Sequence, residues 1–292
     1  MRYIIIQFAI ISFFLSCNKS KKEFYETGEL KKEFAINQGE IEGKVAEYYK
    51  SGNLKELHYF KKGVQTDSSF FFYEQPINKI KKVVHWLNND STKITEYYSN
   101  DNVKARGGRY KGIRVGKWNL YNESGHLDAT YEYKRIKAKE YLNQTWYFGQ
   151  KGDTLSKGNS YYFNSFNDIK LDDVRFYFFL NQPFFSSKSR VSLIIPRNQN
   201  SNFNEDFSNE DEIELMEIPS LADDGLKHNN MRNNIPYNLI VNFDKSFKSK
   251  GKTNFRGIIV EALNDSDKSF KPTDTISWNE RRIYFDKEVY VK

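Results

Sequence analysis

Phe24-Tyr25-Glu26-Thr27-Gly28-Glu29-Leu30 returns later in the chain as Tyr48-Tyr49-Lys50-Ser51-Gly52-Asn53-Leu54 and as Tyr121-Asn122-Glu123-Ser124-Gly125-His126-Leu127. All three follow one pattern, aromatic-x-x-x-Gly-x-Leu. Between them lie two degraded copies, Phe72 to Pro76 and Tyr97 to Val103, with Pro76 and Asp101 at the glycine place; a last copy runs from Phe148 through Gly152 to Leu155. The glycine-place residues are thus 28, 52, 76, 101, 125 and 152, separated by 24, 24, 25, 24 and 27 residues. Self-similarity at so steady an interval means that one supersecondary unit is used several times.

The unit reads as a β-hairpin. An aromatic residue ends one strand, the glycine takes a positive φ without a Cβ clash, and the second strand starts at the Leu. Gly28, Gly52, Gly125 and Gly152 fit that turn directly, and Asp101 tolerates the left-handed region better than most residues. Pro76 cannot enter it, because its ring holds φ near about −65°, and so marks a locally different turn. A second glycine set, Gly39, Gly43, Gly63, Gly112 and Gly116, is expected to reverse the chain before the next unit. A lone hairpin cannot bury its apolar face, so Phe24, Tyr48, Phe72, Tyr97, Tyr121 and Phe148 are expected to form a ladder between successive units. Charged residues between them, such as Lys31, Lys32, Lys55 and Glu56, suggest that one face of the sheet meets water.

This pattern resembles the bacterial variant of the membrane occupation and recognition nexus (MORN) repeat, over residues 24 to about 163. Gly116-Lys117-Trp118 followed by Tyr121 looks like the same family. The resemblance implies tandem hairpins acting as a scaffold or interaction module. It also implies a second reading, an antitoxin- or immunity-like partner of a toxin.

The N-terminus adds an address. Arg2 precedes an apolar stretch from Tyr3 to Leu15, broken only by Gln7 and Ser12. At about 1.5 Å per residue, that stretch is too short for the ~30 Å hydrocarbon core and reads as a signal peptide, residues 1–16. Phe14-Leu15-Ser16-Cys17 resembles the lipobox of bacterial lipoproteins, which implies an acylated, palmitate-bearing Cys17 at the mature N-terminus. Residues 17–23 then form a polar tether. Cys17 is the only cysteine, so the exported fold has no internal disulfide, and stability rests on packing by 24 Phe, 20 Tyr and 4 Trp. The formal net charge of +7 favours anionic surfaces. Export makes a membrane, reached through the lipid, and a protein the expected partners, and nucleic acid is not one of them. The expected location is the bacterial envelope, most naturally the outer membrane.

From about Ser160 the repeat stops and longer apolar runs appear: Val174–Leu180, Val191–Ile195, Ile213–Ile218, Leu239–Phe243, Phe255–Leu263 and Ile283–Val291. They predict a second all-β domain at 164–292, β-sandwich-like or an open barrel. The expected fold is therefore all-β: an elongated antiparallel meander of hairpins at 24–163, followed by that domain.

A search for chemistry finds no nucleophile motif. His58, His85, His126 and His228 are too far apart for a helical metal signature, and Gly251-Lys252-Thr253 lacks both the upstream glycine and the helix of a phosphate loop. The segments 198–212 and 222–234 are long, polar loops that could form the mouth of a ligand site. Their carboxylates, Glu205, Asp206, Glu210, Asp211, Glu212, Asp223 and Asp224, read better as a solvated acidic surface than as a Ca²⁺ loop. Asp153-Thr154-Leu155 and Asp274-Thr275-Ile276 look like acceptors for O-glycosylation. No cofactor, metal or catalytic residue is expected, and the leading expectation is a non-catalytic binding protein.

Overall fold

The computed structural model describes residues 19–156, 161–167, 173–198, 201–228, 235–247, 251–263 and 279–291. Cys17, its tether up to residue 18, and Asp274-Thr275-Ile276 lie outside the described residues. Twelve strands succeed one another in chain order as an antiparallel meander, followed by two smaller sheets. The chain divides into two compact units, residues 1–86 and 87–292.

In the first unit the strands are β1 (Lys19–Phe24), β2 (Leu30–Asn37), β3 (Glu40–Tyr48), β4 (Leu54–Lys61), β5 (Val64–Phe72) and β6 (Ile80–Trp86). The aromatic and the Leu of the repeat are cross-strand partners, Phe24 with Leu30 and Tyr48 with Leu54, each just past a register shift. Gly28 and Gly52 turn the chain at φ +99° and +83°. Their N–H groups donate to the carbonyls of Tyr25 and Tyr49, both at 2.9 Å. At Pro76 the turn widens: Phe72 pairs with Ile80, and the Tyr73 N–H reaches the Lys79 carbonyl at 2.9 Å. The opposite ends close with two-residue loops, Gln38-Gly39 (φ 50° and 88°) and Lys62-Gly63 (φ 50° and 70°). Positive φ at both central residues gives the primed turn, whose twist matches that of the flanking strands.

Gly43 and Gly116 depart from the expectation that they reverse the chain. Both lie inside strands, Gly43 in β3 and Gly116 in the strand Ile113–Tyr121, at φ 81° and 68°. Beside Gly43 the register shifts, with Phe34 opposite Val45 and Ala35 opposite Glu42. A glycine with positive φ is the residue a β-bulge demands, so these two kink and twist a strand.

The second unit continues the hairpins with β7 (Ser91–Tyr97), β8 (Val103–Tyr110), β9 (Ile113–Tyr121), β10 (Leu127–Ile136), β11 (Lys139–Phe148) and β12 (Thr154–Ser156). Asp101, Gly125 and Gly152 occupy the turn position at φ 68°, 86° and 79°. In the last copy Phe148 pairs with Thr154, not with Leu155, whose side chain is 64% exposed. The aromatic is followed by its partner at the sixth residue in that copy as in the others except that of Phe72, which places threonine where the earlier copies have an aliphatic residue.

β13 (Tyr161–Asn167) pairs with β14 (Asp173–Leu180), which also pairs with β17 (Ile240–Ser246). A second sheet runs in the order β16 (Leu215–Ile218), β15 (Ser189–Pro196), β18 (Gly251–Leu263), β19 (Glu280–Val291). Residues from both sheets share one core that includes Phe176, Phe178, Leu193, Val241, Ile259 and Phe285, the sandwich-like arrangement expected from the sequence. Phe176 and Phe178 alternate on β14, as period-two burial requires, and their rings lie 4.6 Å from Phe255 and 5.1 Å from Phe285. The strand expected at 213–218 begins at Leu215; Ile213 packs instead on a second cluster formed by Ile136, Phe203, Phe207, Ile258, Val260 and Tyr284.

Side chains stitch β11 to β19. Asn143, fully buried beside a register shift, donates to the Tyr284 carbonyl at 2.9 Å and accepts the Tyr284 N–H at 2.8 Å. Tyr141 donates to the Arg282 carbonyl at 2.9 Å. A bulge thus frees one amide side chain to satisfy both backbone groups of a residue on another sheet.

Candidate functional site

The six expected ladder residues end successive odd-numbered strands, β1 to β11. Phe24 is 57% exposed, while Tyr48, Phe72, Tyr97, Tyr121 and Phe148 are half-buried. The bonds that tie unit to unit come from the next residue along. Tyr25 donates its hydroxyl to the Tyr48 carbonyl at 2.7 Å, Tyr49 to the Phe72 carbonyl at 2.9 Å, and Tyr98 to the Tyr121 carbonyl at 2.9 Å. Sequence reasoning passed over these tyrosines, although their own recurrence at 25, 49 and 98 signals them. Tyr48 donates instead to Glu33 at 2.6 Å, and that carboxylate pushes its phenol up to about 12.

Within residues 19–86 only Val45, Ala46, Ser69 and Val84 are buried. Across this layer a row of direct partners runs from Glu23 through Lys32, Glu47, Glu56 and Phe71 to Lys82. Lys32 meets Glu47 at 3.0 Å, and the Lys82 ammonium sits 3.8 Å from the centre of the Phe71 ring. The row mixes charge with an aromatic platform, a composition that suits a contact surface. His58 is held within this unit by Glu56 and Gln65 at 3.2 and 3.0 Å, with its ring edge-on to Phe71.

The second unit carries a cleft of about 680 Å³, lined by Leu87, by residues of β7 to β10, by Glu205 and Asp206 of the 201–214 segment and by Asp286 of β19. Part of the expected 198–212 loop is therefore one of its walls. Phe203 and Phe207, both 1% exposed, pin that wall to the core. The Lys137 N–H donates to the Asp206 carbonyl at 2.8 Å, and the Lys137 ammonium reaches Asp211 at 2.6 Å. Glu210 pairs with Arg282 at 2.6 Å.

The lining carboxylates differ in what holds them. Asp206 takes a hydrogen bond from Ser208 and the field of Arg135, 3.4 Å away, which together keep its carboxyl below the usual range. Glu132 accepts from the amides of Asn143 and Gln144 at 2.7 and 2.8 Å. Asp286 meets Arg256 at 2.8 Å through Oδ2, while its buried Oδ1 has no hydrogen-bond partner. The lining cations are less committed. Arg135 pairs with Asp206, but Lys93, Arg109 and Lys134 have no carboxylate within ion-pair distance among the described residues; Arg109 donates only to the Gly112 carbonyl, at 3.3 Å. Gly108 and Gly116 leave the floor low. Nothing in the sequence marked Arg109 or Asp286, because 177 positions separate them and only the tertiary fold brings them to one cleft.

Of the other residues singled out, His228 lies 2.8 Å from Asp224 and Asp223 pairs with Arg190 at 3.0 Å. Gly251-Lys252-Thr253 opens strand β18, so it forms part of a strand and neither a turn nor the start of the helix that a phosphate loop requires. Neither a protein family nor a curated protein matches this sequence.

Proposed function

We propose that this protein is a non-catalytic envelope lipoprotein, anchored through Cys17, whose hairpin repeats serve as a scaffold that binds a protein partner. The observation that supports this best is the one-layer sheet of residues 19–86, where only four described residues are buried. A sheet with so little buried surface among the described residues offers exposed side chains to a partner, and its cross-strand row offers charges of both signs around Phe71. The likeness of the repeat to the nexus-repeat scaffolds and the lipobox-like Cys17 point the same way. A binding role also accords with the state of Asp206 in the cleft, since a carboxylate held down by the hydrogen bond from Ser208 and by Arg135 is a poor general base.

The test is crosslinked capture from detergent-solubilised envelopes, comparing the wild-type chain with the Lys32→Glu, Lys82→Glu double variant. A protein recovered by the wild type and lost by the variant is the expected result. Identical recovery from the two baits, or from beads alone, would refute the scaffold face.

A further inference from the structure

The structure assigns to the free edge of β1 a binding site of its own, for an extended acidic segment of a partner protein that joins the sheet as an added strand. The twelve-stranded sheet begins with β1 and ends with β12, and the fold treats these two edges differently. At the far edge β12 is three residues long and pairs with β11 at two positions among the described residues. There β11 is also tied to β19: Tyr141 and Asn143 bond to it through their side chains, and the Asn143 carbonyl accepts from Arg281 at 3.1 Å. At the near edge β1 pairs with β2 alone among the described residues, and all six of its residues are exposed. Its ladder runs without a shift from Lys19 opposite Ile36 to Glu23 opposite Lys32. In an antiparallel ladder every second residue of an edge strand turns its N–H and C=O outward, so a straight, uncovered edge is a template for one more strand.

The side chains choose the occupant. β1 carries Lys19, Lys21 and Lys22 against the single carboxylate of Glu23, and none of these lysines has a carboxylate within ion-pair distance among the described residues. The acid opposite Lys22 on β2, Glu33, takes the Tyr48 hydroxyl at 2.6 Å. A second copy of this chain is a poor occupant. Antiparallel pairing centred on Lys21 or Lys22 sets that lysine opposite itself, pairing centred between them sets one opposite the other, and like charges face to face destabilise a strand pair. Carboxylates in those places do the reverse. Side chains alternate along the strand, which puts Lys19 and Lys21 on one face of the sheet and Lys22 on the other, so an acidic strand meets lysine on either face. Phe24, 57% exposed, offers an apolar contact where the strand ends. This edge is distinct from the face that bears Lys32 and Lys82, because backbone groups make the contact here and side chains make it there.

The experiment uses the full chain in detergent and fluorescence anisotropy. The probe is a short fluorescein-labelled peptide of alternating glutamate and threonine. Its controls are the same peptide with lysine in place of glutamate, and the glutamate peptide N-methylated throughout, which keeps the charge and removes every N–H the ladder needs. The acidic peptide binds about tenfold more tightly than either control, its affinity falls as salt rises, and amide exchange along β1 slows when it is bound. The Lys21→Glu, Lys22→Glu double variant loses about tenfold for the acidic peptide and gains for the lysine peptide. Both positions are exposed, and thermal melts establish that the variant is folded. Equal binding of the N-methylated peptide would show attraction by charge alone, as for a headgroup or a polyanion, and would overturn the assignment. So would equal binding of the lysine peptide, an unchanged affinity in the double variant, or no binding of the acidic peptide. Because the scaffold face is read out by protein capture with Lys32 and Lys82 variants, either reading can fail without the other.

Discussion

Gly52 shows what a single residue contributes to the repeat. It holds φ +83° in a turn whose N–H donates to the Tyr49 carbonyl, and no atom lies within 4 Å of where its Cβ would stand. Space is thus available for alanine, and backbone conformation alone opposes it. Gly52→Ala should cost about 1–2 kcal/mol, read as a lower urea midpoint at unchanged slope; an unchanged midpoint would mean that the turn tolerates a Cβ. Glu261 is the opposite case, a charged residue set inside the apolar run Phe255–Leu263. It is wholly buried, with Ser189 donating at 2.6 Å and the Arg281 guanidinium in an ion pair at 3.8 Å. Burial pushes its carboxyl up, against the pull of the Ser189 hydroxyl, Arg281 and the Phe185 and Phe184 N–H groups. With the folded value raised, the native state holds the proton more tightly than the unfolded chain. Stability from this group is therefore full below the ordinary carboxylate range near about 4.3 and declines as pH rises through the elevated folded value. Urea midpoints of wild type measured against Glu261→Gln from acid towards neutral pH should diverge, the wild type losing ground. Parallel curves would show that the carboxyl ionises normally.

At the scale of elements, the hairpins were legible because each carries its own instructions. The aromatic, the residue with positive φ and the aliphatic partner lie within seven consecutive positions, as Phe24, Gly28 and Leu30 do. The bulges at Gly43 and Gly116 were not legible, since a glycine with positive φ in a bulge and one in a reversal have the same local requirement; only the pairing of Phe34 with Val45 and of Ala35 with Glu42 separates them. The wall of the cleft was half legible. Its Asn- and Asp-rich composition marked a loop, but Phe203 and Phe207 within it insert into a cluster with Ile136, Ile258 and Tyr284. Their rings stand 4.9 Å apart, and Phe207 meets Tyr284 at 4.9 Å. Phe207→Ala should cost about 3–5 kcal/mol. It should also open the 201–214 segment to limited proteolysis before global unfolding; a segment as resistant as in wild type would show that the ion pairs of Asp206, Glu210 and Asp211 hold the wall unaided.

For the whole molecule, the decisive prediction concerns the anchor. Cys17→Ser should abolish incorporation of labelled palmitate and move the chain from the envelope fraction to the soluble fraction. An unlabelled wild type would remove the lipoprotein from the proposal and leave the sheet and cleft as they are. What the sequence by itself determined is the all-β class, the hairpin interval and the two-part order of repeats and sandwich, because turn conformation and strand alternation are short-range properties written within a few neighbouring residues. Only the tertiary structure decided that Asn143 stitches β11 to β19, that the 201–214 segment leans over β7 to β10, and that Arg109 and Asp286 share a cleft. Those contacts join residues 69 to 177 positions apart, and they arise when apolar faces from distant strands find each other in a common core, an outcome of long-range packing that no local spacing encodes.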